Sequence, residues 1–174
     1  MRNVEVKAEV SDWEDLLKRA KEVSGEEGVV LEQMDIFFHS PNGRLKMRSV
    51  SKDGQELHEL IWYERNDQEG PKLSTYNKIN YGSSQEAKEI AELLKNSNGT
   101  RGEVKKRRVL FMAGQTRIHC DDVEGLGKYA ELEVVLRDDQ SVEEGEKVAA
   151  SLMASLGLSR LVHCAYIDLL AQRK

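Results

Sequence analysis

Cysteine is nearly missing from this sequence: 174 residues hold two, Cys120 and Cys164, and neither has a partner at metal-ligand spacing. That excludes a disulfide scaffold and a zinc-ribbon site, and the thiols are expected free in a reducing compartment. No apolar run approaches the roughly 20 residues that span a bilayer. The chain enters strand-like sequence at once, without an apolar signal core, so a cytoplasmic location is expected. A basic excess is also lacking. The net charge is −5, which argues against a nucleic-acid binder. Repeats, low-complexity tracts and composition breaks are absent too, so residues 1–174 are read as one domain.

What the sequence has in quantity is charge, at 33% of residues against 39% hydrophobic. The charges are interleaved with periodic apolar residues, which speaks for a folded domain and against disorder. Three helices are marked by capping-box spacing ahead of an apolar periodicity: Ser11 with Glu14, Ser83 with Glu86, and Ser141 with Glu144. Strands are expected near residues 2–10, 28–39, 43–50, 56–65, 73–80, 102–112, 115–121 and 128–137. Turn sequences such as Pro41-Asn42-Gly43 and Asp53-Gly54 join several of them as antiparallel hairpins. Residues 163–170 fit a short strand or a turn of helix equally well.

The opening stretch "NVEVKAEV" alternates strictly, with Asn3, Glu5, Lys7 and Glu9 opposite Val4, Val6, Ala8 and Val10. Successive strand side chains point to opposite faces. The same pattern puts Arg44, Lys46 and Arg48 on one face in "RLKMRS", and Arg117, His119 and Asp121 on one face in "TRIHCD". In "KYAELEVVL", Glu131 and Glu133 oppose Ala130, Leu132 and Val134. A solvated sheet face would mix such charges with Ser, Thr and Gln, but these positions are mostly ionic and their signs are grouped by strand. Like charges two residues apart repel. The grouping makes sense if a polyanion lies over the cations and a divalent metal over the carboxylates. Closing the strands into a barrel removes open edges, with the helices sheathing the apolar outside. The expected architecture is α+β: a closed eight-stranded antiparallel β-barrel, a tunnel, with helices packed on the outside.

"NVEVK" is similar to the Glu-x-Glu-x-Lys motif on the first strand of the CYTH superfamily, the triphosphate tunnel metalloenzymes. The blocks "LEQMDIFF", "GRLKMR", "WYERNDQEGPKLS", "VKKRRVLF", "TRIHCDDVEGLGKYAELEVVL" and "AYIDLL" resemble family blocks in the same order. The "IHCDDVEGLG" segment is most similar to the class IV adenylyl cyclase-like branch. The resemblance implies a triphosphate-containing small molecule as ligand and Mg²⁺ or Mn²⁺ as cofactor. It implies a catalytic set of Glu5, Lys7 and Arg48, and metal binding by Glu5, Glu131, Glu133 and Asp121. Phosphate contacts would come from Arg44, Lys46, Arg65, Lys106, Arg108 and Arg117, with Lys72 at the entrance. The first Glu of the motif is Asn3 here. A neutral amide oxygen ligates more weakly than a carboxylate, which puts a second metal in doubt.

The activity expected is divalent-metal-dependent hydrolysis of a triphosphate, inorganic or organic. Cyclisation of ATP by a class IV-type mechanism is one alternative, and a polyphosphate- or nucleotide-binding module with little turnover is another. No nucleic-acid or membrane partner is expected, and the chain is read as a monomer or homodimer. "HCDD" resembles a metal cluster, but alternation sends Cys120 to the apolar face, and His119 is read as a hydrogen-bonded strand histidine. In "VKKRRV", Lys106 and Arg108 are expected inward with Lys105 and Arg107 outward. Trp13 and Trp62 are read as core beneath the helices.

Overall fold

The computed structural model describes residues 2–65 and 70–173; residues 66–69, inside the "WYERNDQEGPKLS" block, lie outside the described residues. The strands are β1 (Arg2–Glu9), β2 (Val29–Phe38), β3 (Arg44–Lys52), β4 (Gln55–Arg65), β5 (Lys72–Tyr81), β6 (Thr100–Ala113), β7 (Thr116–Val123) and β8 (Gly127–Val135). They pair in the order β5-β4-β3-β2-β6-β7-β8-β1, and β1 pairs with β5 to close the barrel. Every pairing is antiparallel. A two-residue strand, β9 (Leu161–Val162), adds to the free edge of β1 beyond β5. The expected eight-stranded tunnel with outer helices is the architecture found.

Local sequence sets the joints. Between β3 and β4 the loop is Asp53-Gly54, both with positive φ (50° and 79°), the conformation a tight antiparallel hairpin requires. The helices are α1 (Trp13–Ser24), α2 (Ser84–Asn98), α3 (Val142–Leu156) and α4 (Tyr166–Gln172). Ser83 caps α2, and Ser141 with Glu144 forms a full capping box on α3. On α1 the expected Ser11 cap is displaced by one residue: the Asp12 carboxylate accepts the Asp15 amide. Asp is as good a cap as Ser, and starting one residue later turns Leu16 and Ala20 into the core.

The apolar outer faces of the strands make the core. Val4, Val6, Ile118, Leu132 and Val134 are buried together with Leu16, Ala149 and Leu156 of the helices. Each such Val, Leu or Ile side chain contributes about 1.5–3 kcal/mol on leaving water. Trp13 packs at the margin of this cluster. Trp62 is half-buried, and its indole NH donates to the Asn42 carbonyl in the β2–β3 turn (2.9 Å). A separate cluster of Ile36, Phe38 and Met47 lies under α2. With the outside covered, the inward face of each strand is left for the ionic residues.

Within residues 163–170 the structure has helix, α4 from Tyr166, and the edge strand β9 lies just before the segment. Helix α4 tucks under the barrel, with Tyr166 and Ile167 buried against Phe37, Val104 and Tyr129. Asp168 holds it there through ion pairs with Arg44 and Arg101, both 2.9 Å. The tunnel is therefore closed at this end and open at the other, where the β3–β4 hairpin stands.

Candidate functional site

The inward alternation gathers Asn3, Glu5 and Lys7 from β1, Lys46 and Arg48 from β3, and Arg65 from β4 around one cavity of about 620 Å³. Lys106 and Arg108 from β6, Arg117 and His119 from β7, and Glu131 and Glu133 from β8 complete it. Lysine and arginine outnumber the carboxylates along its walls, although the chain as a whole is acidic. Lys105 and Arg107 are exposed outside, so β6 has the expected register.

Two carboxylates hold the cations in place. Asp35 accepts from Lys46 (3.0 Å) and, bidentately, from Arg48 (2.9 and 2.9 Å). Asp121 does the same for Arg108 (2.7 and 2.8 Å) and Lys106 (3.0 Å), and also accepts from the Tyr166 hydroxyl (2.9 Å). Burial opposes ionisation of both carboxyls, but Arg48 with Lys46, and Arg108 with Lys106, hold them far below the usual range. Burial and the neighbouring Arg108 push the Lys106 ammonium down to about 8. Cations packed this closely repel, and the bridging carboxylates make the array tolerable while leaving its remaining N–H groups toward the cavity. Tyr166 adds a second support: the Lys7 and Lys106 ammoniums lie 4.1 and 4.8 Å from its ring centre.

The opposite wall is acidic. Glu5 is directly across from Glu133, and Lys7 from Glu131, in the β1–β8 pairing. Ligating atoms of His119, Glu131 and Glu133 lie within 4.8 Å of one another. Burial, then the Glu133 and Glu131 carboxylates, raise the Glu5 carboxyl above its ordinary value, against the pull of Arg65 at 3.1 Å. Burial and Arg108 lower His119, which keeps its imidazole neutral and able to ligate. Crowded carboxylates beside a neutral imidazole fit a divalent cation, because bound positive charge relieves the repulsion felt at Glu5.

Among the described residues, further polar groups are turned inward with atoms that have no hydrogen-bond partner. Asn3 is 2% exposed and its Oδ1 has no hydrogen-bond donor. Arg65 donates to Glu5 through Nη1, whereas its Nε and Nη2 are buried and unsatisfied. Unmet donors on a buried guanidinium are costly, and an anionic ligand would supply their acceptors.

Three expectations need correction. Asp121 is 0% exposed and its oxygens are taken by Arg108, Lys106 and Tyr166, so it is a strut beneath the cavity and leaves no free oxygen for metal. Arg44 is off the cavity and bound to Asp168 of α4. Lys72 is not at an entrance: it is 4% exposed and donates to the His163 carbonyl at the closed end. All three sit where α4 seals the tunnel. Conversely, the sequence reading passed over Asp35, Glu59 and Tyr166; His119 is the strand histidine it expected, on β7 beside Glu131, and its nearness to Glu133 as well makes it a candidate ligand. Glu59 faces inward and binds Lys78 (2.7 Å).

A family profile described as CYTH domain matches residues 1–164. Two proteins of Pyrococcus horikoshii OT3 share the fold. PH1012 has 25% identity and a TM-score of 0.76 over 97% of this chain and 99% of its own; PH1819 has 18% identity and a TM-score of 0.80 over 99% of each. A protein from Vibrio parahaemolyticus whose name proposes an adenylate cyclase aligns at 19% identity and a TM-score of 0.76, over 97% of both chains. A comparison with curated proteins found no match. The closed barrel, its ionic lumen and a family match spanning nearly the whole sequence agree, and the chain belongs to the CYTH domain family, whose members bind triphosphates.

Proposed function

We propose that this protein is a divalent-metal-dependent triphosphatase. The observation that carries the reading is the facing of two walls in one dead-end cavity: strutted cations on β3 and β6, and the carboxylates Glu5, Glu131 and Glu133 on β1 and β8. A triphosphate carries about four negative charges near neutral pH, and arginine grips its oxygens bidentately. Lys46, Arg48, Lys106 and Arg108 would hold the phosphate chain, with Lys7 and Arg65 reaching it from the flanks.

Glu131 and Glu133, with Glu5 and His119 beside them, would hold Mg²⁺ or Mn²⁺. Such an ion neutralises charge on phosphate oxygens and favours deprotonation of a nearby water. Hydrolysis needs water to attack the terminal phosphorus as its bond to the bridging oxygen breaks, releasing orthophosphate and leaving a diphosphate. Phosphoryl transfer depends chiefly on positioning and electrostatic stabilisation, which this cavity supplies without a covalent nucleophile. Asn3 replaces a potential carboxylate ligand, so a single tightly held ion is expected.

The test is product analysis by ³¹P NMR after incubation with tripolyphosphate, ATP and thiamine triphosphate, each with Mg²⁺ and with Mn²⁺. Orthophosphate release is the expected result. Cyclic AMP and pyrophosphate from ATP would replace hydrolysis with cyclisation. Binding without any product would reduce the protein to a binding module.

A further inference from the structure

Tyr166 lines the cavity at its closed end although it belongs to no barrel strand: it is the first residue of α4. Its orientation is fixed at two points. The hydroxyl donates to Asp121 Oδ2 (2.9 Å), and the ring meets that of Tyr129 edge-on, with centres 5.3 Å apart and planes at 68°. Two residues further on, Asp168 pins the helix from outside through Arg44 and Arg101.

A ring held this firmly carries two charges. The Lys7 ammonium lies 4.1 Å and the Lys106 ammonium 4.8 Å from its centre. Both distances are within reach of a cation–π contact, which is strongest where water is excluded, and both lysines are buried. Burial and Arg108 disfavour the charge on Lys106, and the negative face of the ring offsets part of that penalty. The lysines come from separate parts of the barrel. Lys7 is on β1, which pairs with β5, β8 and β9, and Lys106 is on β6, which pairs with β2 and β7. Sheet register therefore leaves the spacing of the two ammoniums unset, and each is a point charge on a flexible stem. The carboxylate nearest Lys7 is Glu131, at 3.6 Å, which is also a candidate metal ligand. The ring is a hold on Lys7 that does not draw on the acidic wall.

We propose that Tyr166 is a positioning residue: its ring sets the Lys7 and Lys106 ammoniums together at the floor of the lumen, where they meet the innermost phosphate, and so makes α4 part of the site. The proposal rests on the triphosphate reading of the cavity and adds to it a residue from outside the barrel strands. Ammoniums already in place spare a polyanion the ordering of two flexible side chains. The ring accordingly contributes roughly tenfold or more in affinity.

Calorimetric titration of tripolyphosphate in EDTA tests it on wild type, on Tyr166→Phe and Tyr166→Leu, and on chains carrying singly and triply fluorinated phenylalanine at position 166. Tyr166→Phe keeps the ring and is expected to bind within about threefold of wild type, whereas Tyr166→Leu binds about tenfold or more weakly. Fluorine withdraws electron density from the ring face with little change of shape, so affinity should fall stepwise along the fluorinated series. A residue that only fills space would not respond to ring electron density. Should Tyr166→Leu fail to fold, the fluorinated series decides. Equal affinity along that series, or wild-type affinity in folded Tyr166→Leu, would overturn the inference alone. Tyr166→Phe as weak as Tyr166→Leu would move the role to the hydroxyl and overturn it too. Absence of tripolyphosphate binding by wild type would overturn the triphosphate reading and this inference with it.

Discussion

Glu133→Gln is expected to lower triphosphate turnover by about 10²–10³-fold, the loss seen when one charge-stabilising group is removed from an enzyme site. Gln keeps the length and one oxygen of the side chain but removes the negative charge. The acidic wall then loses the member that touches both of its neighbours: Glu133 is directly across from Glu5, and its ligating oxygen clusters with those of Glu131 and His119. Metal affinity falls with the carboxylate count. Arg117, 3.1 Å from Glu133, also loses its ion-pair partner, but it is partly exposed and tolerates this. Steady-state phosphate release, with Mn²⁺ affinity measured in parallel by electron paramagnetic resonance, provides the check. Turnover within threefold of wild type would remove Glu133 from the site.

The second large effect falls on stability. Asp121→Asn is expected to destabilise the fold by about 3–5 kcal/mol, as removal of one member of a buried ion pair does. The carboxylate is completely enclosed and receives four donors, two from Arg108 and one each from Lys106 and Tyr166. An amide presents its NH₂ to those donors, removes the counter-charge closest to Lys106 and leaves Arg108 only the longer contact with Glu131 (3.4 Å). Urea denaturation of both proteins at pH 7 measures the loss.

A pH series separates this from a packing defect. The folded-state Asp121 carboxyl is held far below its unfolded value of about 3.9. Its contribution is therefore complete above about pH 5 and is lost as pH falls below the unfolded value toward the folded one. Wild-type stability should drop more steeply in acid than that of Asp121→Asn. Parallel pH dependences would show that the ion-pair account of Asp121 is wrong.

The period-two pattern made much of this site readable from the residues alone. It assigned Lys46, Arg48, Lys106, Arg108, Glu131 and Glu133 to one side of their strands, and closure made that side a lumen. Asp35 escaped because its strand face reads Leu31, Gln33, Asp35, Phe37, which looks neither ionic nor apolar, and a lone carboxylate there carries no pattern. For His119 alternation gave the face but not that Glu131 lies directly across the ladder from it.

The three misassigned residues share a different cause. Alternation reports which face a side chain is on and says nothing about depth along the barrel or about what closes its end. Arg44, Lys72 and Asp121 all lie where α4 folds under the strands, and α4 is seven residues long, too short to announce itself by periodicity. Its position depends on the long-range pairs Arg44–Asp168, Arg101–Asp168 and Tyr166–Asp121.

The central claim is that the strutted cations and the acidic wall together form one triphosphate site. Calorimetric titration of tripolyphosphate with and without Mn²⁺ into wild type and Arg48→Ala tests it most directly. One ligand bound per chain, tightened by Mn²⁺ and weakened at least tenfold by the substitution, is the predicted result. No binding, or binding that Arg48→Ala leaves unchanged, would contradict it.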